Sequence, residues 1–159
     1  MTLAYEQIGT IHSPFQTIEE MPIQPAGARG VEGTIEVFEP FRAGLKDLEG
    51  FSHIYLLYHF HLNSDYKLEV TPFLDKTPRG VFSTRAPKRP NPIGLSVVEI
   101  DRIEGGIIYI NNIDVLDGTP LIDIKPYVPK FDSQNNVKTG WLEASGDQVK
   151  QHKSDDRFG

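Results

Sequence analysis

Five cations and no acid occupy the stretch from Lys76 to Val98: Lys76, Arg79, Arg85, Lys88 and Arg89. The chain as a whole carries a formal net charge of −6, so positive charge is concentrated here against the general balance. Such a loop suits an anion. Arg85 offers a planar, two-pronged donor matched to a carboxylate or a phosphate. Pro87, Pro90 and Pro92 fix their own φ angles and push the residues before them toward extended geometry, so the loop is stiff before any ligand arrives. That stiffness lowers the entropic cost of binding. The plainer reading is a solvated, proline-rich connection. The exclusion of acids over the whole span weighs against it.

A second group lies in the run from Asp114 to Tyr127. Asp117-Gly118-Thr119-Pro120 is a turn signature. In a strand after it, alternation would put Leu121, Asp123 and Lys125 on one face and Ile122 and Ile124 on the other. A carboxylate among isoleucines, ahead of Lys125 and Tyr127, is either structurally paired or serves as a base or cation ligand. The residues leave both readings open. His53, His59 and His61 form a third group, all on one face of an unbroken strand. His53 would lie roughly 20 Å from His61 along such a strand, so the three cannot share one ion. No metal is expected here, and pocket or core roles fit these imidazoles better. Gln24, between Pro22 and Pro25, could offer an amide to a ligand, although a plain surface-loop role is the better explanation from the residues alone. Neither the dinucleotide glycine fingerprint nor a phosphate-binding Gly-Lys-Ser/Thr loop occurs, and no G-x-S-x-G elbow is present.

The elements that must position these residues read as mostly β. Short, β-branched and aromatic runs predict strands at 5–12, 33–38, 53–61, 68–73, 80–84, 95–103, 107–115 and 121–125. Glu104-Gly-Gly106 predicts a tight hairpin. Phe41, Leu45 and Leu48 recur at helical spacing within 40–49, ahead of Gly50, which predicts a helix there. A short helical turn is expected over 141–144. Eight strands and few helices predict an all-β fold, a closed or nearly closed barrel, since closure removes exposed edges.

At 159 residues and 38% hydrophobic, the chain is expected to form a single domain with a real core, with 148–159 as a tail. No apolar run approaches the roughly 20 residues that cross a bilayer. The first residues lack the basic start and apolar stretch of a signal peptide, so no membrane partner and a cytoplasmic location are expected. The absence of cysteine excludes disulfides, thiolate zinc sites and cysteine-held iron–sulfur clusters.

Taken together, Gly80-Val-Phe-Ser-Thr-Arg85, Arg89-Pro-Asn-Pro-Ile-Gly-Leu-Ser96 and Asp117-Gly-Thr-Pro-Leu-Ile-Asp-Ile-Lys-Pro-Tyr127 resemble the TsaA/TrmO-like (YaeB-like) family. The opening Ile8-Gly-Thr-Ile-His-Ser-Pro14, Leu48-Glu-Gly-Phe-Ser-His-Ile54 and Asp155-Asp-Arg-Phe158 are similar to that family's short form. The resemblance implies a β-barrel tRNA methyltransferase that uses S-adenosyl-L-methionine and acts as a homodimer. The implied substrate is N6 of a threonylcarbamoyl-modified adenosine beside the anticodon of a threonine tRNA. Positions matching the family's donor-binding motifs are Pro22, Ile23, Gln24, Phe60, His61, Arg85, Leu95, Asp117, Gly118, Thr119, Pro120 and Leu121. On that reading Lys88 and Arg89 would contact tRNA phosphates, and Asp123 or Tyr127 would take the N6 proton. Two competing readings are a non-catalytic sensor of S-adenosylmethionine or a small anion, and a metal-dependent barrel enzyme using His59 and His61.

Overall fold

A computed structural model describes residues 1–22, 25–73 and 75–144. Six antiparallel strands close into a barrel in the order β1-β2-β7-β6-β3-β8, with β8 returning to pair with β1. They are β1 (Gly9–His12), β2 (Glu32–Val37), β3 (His53–His59), β6 (Ile93–Glu104), β7 (Ile107–Asn111) and β8 (Thr119–Pro126). Two further two-residue strands, β4 (Glu69–Val70) and β5 (Arg79–Gly80), pair with each other outside the barrel.

Closure follows from the side-chain pattern. Alternate residues of β3 point inward, so Ile54, Leu56 and Tyr58 are buried while His53, Tyr55, Leu57 and His59 face out. Ile35 and Val37 of β2, Ile108 and Ile110 of β7, Val98 of β6 and Leu121 of β8 complete one core. Each such side chain contributes roughly 1.5–3 kcal/mol by leaving water. The β6–β7 hairpin turns at Gly105 and Gly106, with φ of 55° and 90°, where only glycine is unstrained.

Two bulges re-aim side chains. Asp101 is an extra residue between the pairs Ile100–Ile110 and Arg102–Tyr109. In β8, Ile122 is extra, because Leu57 pairs with Asp123 and Tyr58 with Leu121. Simple alternation therefore fails there. Leu121 is fully buried and Ile124 packs on the core, while Asp123 and Lys125 turn outward together.

The strands expected over 5–12 and 107–115 are shorter, Gly9–His12 and Ile107–Asn111, and three predicted elements differ more. Residues 80–84 are not a strand: β5 ends at Gly80 and Val81–Ser83 form a 3-10 turn. The strand expected over 68–73 shrinks to Glu69–Val70. The helix expected over 40–49 is two 3-10 segments, Glu39–Leu45 and Leu48–Gly50. Pro40 sits in the first turn, Gly44 weakens the middle, and Asp47 at φ 71° breaks the run. The turn predicted over 141–144 forms as a 3-10 helix, Gly140–Ala144, and α1 is a single turn, Pro129–Asp132. The predicted tail 148–159, with its Asp155–Phe158 motif, lies outside the described residues.

Candidate functional site

The connection from β3 to β6 folds over one rim of the barrel and encloses a cavity of about 620 Å³, a volume that suits a nucleotide-sized ligand. A small separate core of Val70, Val81 and Ala86 anchors this connection. Its proline-rich part is held by backbone bonds: Phe60 N donates to Pro92 O at 2.8 Å, and Lys67 N donates to Lys88 O at 3.3 Å. Arg89 belongs to the same bracing. Its Nη1 donates to the carbonyls of Thr84 and Ala86, each at 3.0 Å.

Four of the five cations of the loop therefore divide by role. Arg79 is paired with Asp75 at 2.8 Å, and Lys88 approaches Asp65 at 4.0 Å. Arg85 lines the cavity and, among the described residues, forms no salt bridge. Among the described wall residues Arg89 is engaged with backbone carbonyls, which leaves Arg85 as the better placed cation for a ligand anion.

Opposite in charge, Asp114 lines the same cavity. Its Oδ1 accepts a hydrogen bond from Ser96 Oγ at 2.6 Å. Because that hydroxyl proton is spent on Asp114, the contact between Tyr58 and Ser96 at 2.8 Å has the tyrosine as donor. The chain Tyr58 to Ser96 to Asp114 crosses three elements that lie far apart in sequence. Burial pushes the Asp114 carboxyl up to about 6, with the Ser96 bond and the Arg85 charge working against that rise. Burial likewise raises the Tyr58 hydroxyl. His61, also on the wall, is held below the usual imidazole range by burial and by neighbouring His59.

A far segment closes the remaining side. Trp141 and Leu142 line the cavity, Trp141 Nε1 donates to Ser83 O at 2.9 Å, and the Arg79 guanidinium lies 5.7 Å from the indole centroid. Asp114 opens the second group and Ser96 ends a family-like motif, but the sequence pattern gives neither a role, and it does not mark Tyr58 or Trp141. The single tryptophan of the chain was the one available signal.

Of the expected donor-binding positions, the structure brings together Phe60, His61, Arg85, Leu95 and Thr119 on the cavity wall. Pro22 is buried, next to the wall residue Met21. Ile23 and Gln24 lie outside the described residues. Asp117, Gly118, Pro120 and Leu121 are not part of the wall. Asp117 accepts from Ser13 N at 3.1 Å and faces His12 at 3.4 Å, and Leu121 is core. The amides of Asp117 and Gly118 are spent on the carbonyls of Phe15 and Ile11. This turn holds Thr119 in place rather than offering its own amides. Gly118, at φ 83°, makes the turn possible.

Asp123 and Tyr127 also lie off the wall. Asp123 is 44% exposed and paired with Lys125 at 2.8 Å. Tyr127 meets His53 and Tyr55 edge to face, with its ring 5.5 Å from that of Tyr55, whose hydroxyl feels the Arg85 charge. Of the predicted phosphate contacts, Arg89 lines the cavity and Lys88 does not. His59 ends β3 on its outer face, with His61 just beyond the strand.

The wall fits S-adenosylmethionine in kind. That molecule combines a planar purine, a carboxylate and positive charge, and the cavity offers Phe60 and Trp141, Arg85 and Asp114. Comparison with known proteins gives the same direction. The model of the tRNA-methyltransferase O N-terminal domain matches residues 10–133. A probable S-adenosyl-L-methionine-binding protein of Pyrococcus abyssi is 51% identical over 99% of this chain and 86% of that relative. The tRNA (adenine(37)-N6)-methyltransferase of Mus musculus is 39% identical over 85% of this chain, but this covers only 33% of the mouse protein. A crystal structure of TrmO from Pseudomonas aeruginosa superposes with a TM-score of 0.75 at 40% identity, covering 89% of this chain and 63% of that one. The chain thus spans about a third to two thirds of these longer proteins, and nearly all of the archaeal one.

Proposed function

The chain belongs to the tRNA-methyltransferase O family, and from that premise we propose that it binds S-adenosyl-L-methionine at the barrel rim and methylates N6 of a threonylcarbamoyl-modified adenosine beside the anticodon of a tRNA. The observation that carries this reading is the presence of both Arg85 and Asp114 on one aromatic-walled cavity of about 620 Å³. When bound, the donor supplies a methyl group already activated by its sulfonium charge. The protein's task is then chiefly positioning.

Arg85 would grip a carboxylate through a charge-assisted, two-pronged contact. Phe60, Leu95 and Trp141 would exclude water and cover a purine face. The anticodon-loop base would enter splayed out of its stack, as sequence-specific RNA recognition generally requires. Lys88 would meet backbone phosphates, while Arg89 keeps the loop in shape for that contact.

The N6 lone pair is delocalised into the purine, so attack needs a group that removes the N6 proton. We assign that role to Asp123 or Tyr127. Both sit off the wall of their own chain, so the assignment goes together with a homodimer in which a second copy presents β8. Phe82, 75% exposed, with Ile93 and Leu95, forms the apolar surface on which such a copy would sit.

The test is a mass-spectrometric search for a methylated nucleoside after mixing protein, donor and tRNA from cells lacking the endogenous activity. Methyl incorporation into the threonylcarbamoyladenosine is the expected result. Donor binding with no incorporation into any tRNA nucleoside would favour the second reading, a donor-binding sensor. That reading draws on the Pyrococcus relative, which is named for binding alone.

A further inference from the structure

Besides Arg89, which braces the loop, the described cavity wall carries two opposite charges that the fold leaves apart. Among the described residues, Asp114 is the one carboxylate lining it, and it has no salt-bridge partner there. Arg85 is near enough to influence both Asp114 and Tyr58, yet no ion pair closes between Arg85 and Asp114. A partly buried carboxylate without a cation is costly. Here it is also fixed, because Ser96 holds Oδ1 and Tyr58 holds Ser96. A ligand with only a negative group would satisfy Arg85 and leave Asp114 uncompensated. One with only a positive group would do the reverse. A zwitterion answers both.

We propose that Arg85 and Asp114 form a clamp for an α-amino-acid group, with Arg85 on its carboxylate and Asp114, aimed by Tyr58 and Ser96, on its ammonium. This rests on the donor reading above, since S-adenosylmethionine ends in such a group. It extends that reading by giving Asp114 a role that no motif of the chain assigns. It also predicts that the protein discriminates adenosyl compounds by the presence of the amino-acid end.

The clamp has a pH signature. Burial holds the Asp114 carboxyl near 6, so below that pH the group is neutral and cannot pair with an ammonium. Affinity for an amino-acid-bearing ligand must therefore rise with pH through about 6 and level off above 7. The charged and titratable groups around Asp114 are Arg85 from the loop, Tyr58 from β3, and His61 and Arg89 on the same wall. Asp117, three residues on, is turned to Ser13 and His12 instead. Of these, His61, which burial holds below the usual imidazole range, needs its own control.

The experiment is calorimetry at pH 5 and pH 8 with two probes: S-adenosylhomocysteine, which has the amino-acid end, and methylthioadenosine, which lacks it. Wild type should bind the first about tenfold or more tightly at pH 8 than at pH 5, and the second equally at both. Asp114→Asn should bind S-adenosylhomocysteine about tenfold more weakly at pH 8, with the pH step gone and methylthioadenosine binding retained. Ser96→Ala removes a bond that favours the ionised carboxylate, so it should move the midpoint of the step upward. His61→Gln should keep the step whatever its affinity. A step that survives in Asp114→Asn would overturn the clamp, as would an equal loss for both probes. If wild type binds neither probe at either pH, the donor reading itself fails and the clamp falls with it.

Discussion

The barrel and the rim that covers its end are built by opposite means. The barrel is held by continuous ladders and an aliphatic core, with Ile11, Ile35, Ile54, Leu56 and Ile108 wholly buried. The rim has two-residue strands, a 3-10 turn and prolines, and beyond the small core of Val70, Val81 and Ala86 it relies on single hydrogen bonds such as Arg89 to Thr84 O and Trp141 to Ser83 O. Packing energy is collective and tolerates little loss, whereas single polar bonds set positions one at a time. A change in the barrel should therefore move stability, and a change in the rim should move affinity.

Leu56→Ala should show the first behaviour at its largest, losing about 2–5 kcal/mol of stability by denaturant titration as a cavity opens in the core. Little loss would mean that the barrel is not the stabilising unit. Gly94→Ala should break the separation between regions. A Cβ at Gly94 would land inside contact distance of the Tyr58 ring, so that ring must shift and lift its hydroxyl from Ser96. The expected result is a loss of roughly 1–3 kcal/mol in stability together with a weakened pH step in donor binding. Unchanged binding would disconnect the relay from the site.

Arg85→Ala should behave as a rim change. It should cost about 1.5–3 kcal/mol of donor affinity, with the melting temperature nearly unchanged. Equal donor affinity by calorimetry would remove Arg85 from the site.

Asp114→Asn separates stability from function by pH. The folded carboxyl sits near 6, above its unfolded value, so the folded chain holds the extra proton at low pH. The associated stability is full below the unfolded value and is lost as pH rises through about 6. Asn, which never ionises, should therefore stabilise the unliganded protein by on the order of 1–2 kcal/mol at pH 8 and hardly at all at pH 4. Equal effects at the two pH values would contradict a raised carboxyl. The smallest effect belongs to Lys88→Ala, which should lower the slope of log affinity for tRNA against log salt by about 1 per phosphate contact. An unaltered slope would exclude the phosphate contact.

The same contrast explains what the sequence revealed. Strands of the barrel carry period-two patterns with strong β formers, so β3, β6 and β7 were legible to within a few residues. The bulge at Ile122 was not, because nothing local distinguishes an extra isoleucine from an alternating one. In the rim, prolines and cations announced a site, but Gly80–Thr84 was read as a strand because Val, Phe and Thr favour one, while chain direction there is set by the turn at Val81–Ser83. Arg85 could be picked out by its charge and its motif. Asp114, Ser96 and Tyr58 could not, since their meaning comes only from closure bringing β3, β6 and the loop after β7 together. Trp141 reaches Ser83 across 58 residues, and no periodicity carries that information.

A crystal of this protein grown with saturating S-adenosylhomocysteine tests the central claim most directly. The ligand should lie between Arg85 and Trp141, its carboxylate on the guanidinium and its ammonium on Asp114. Ligand density anywhere else on the barrel, with the rim cavity left empty at full occupancy, would contradict it.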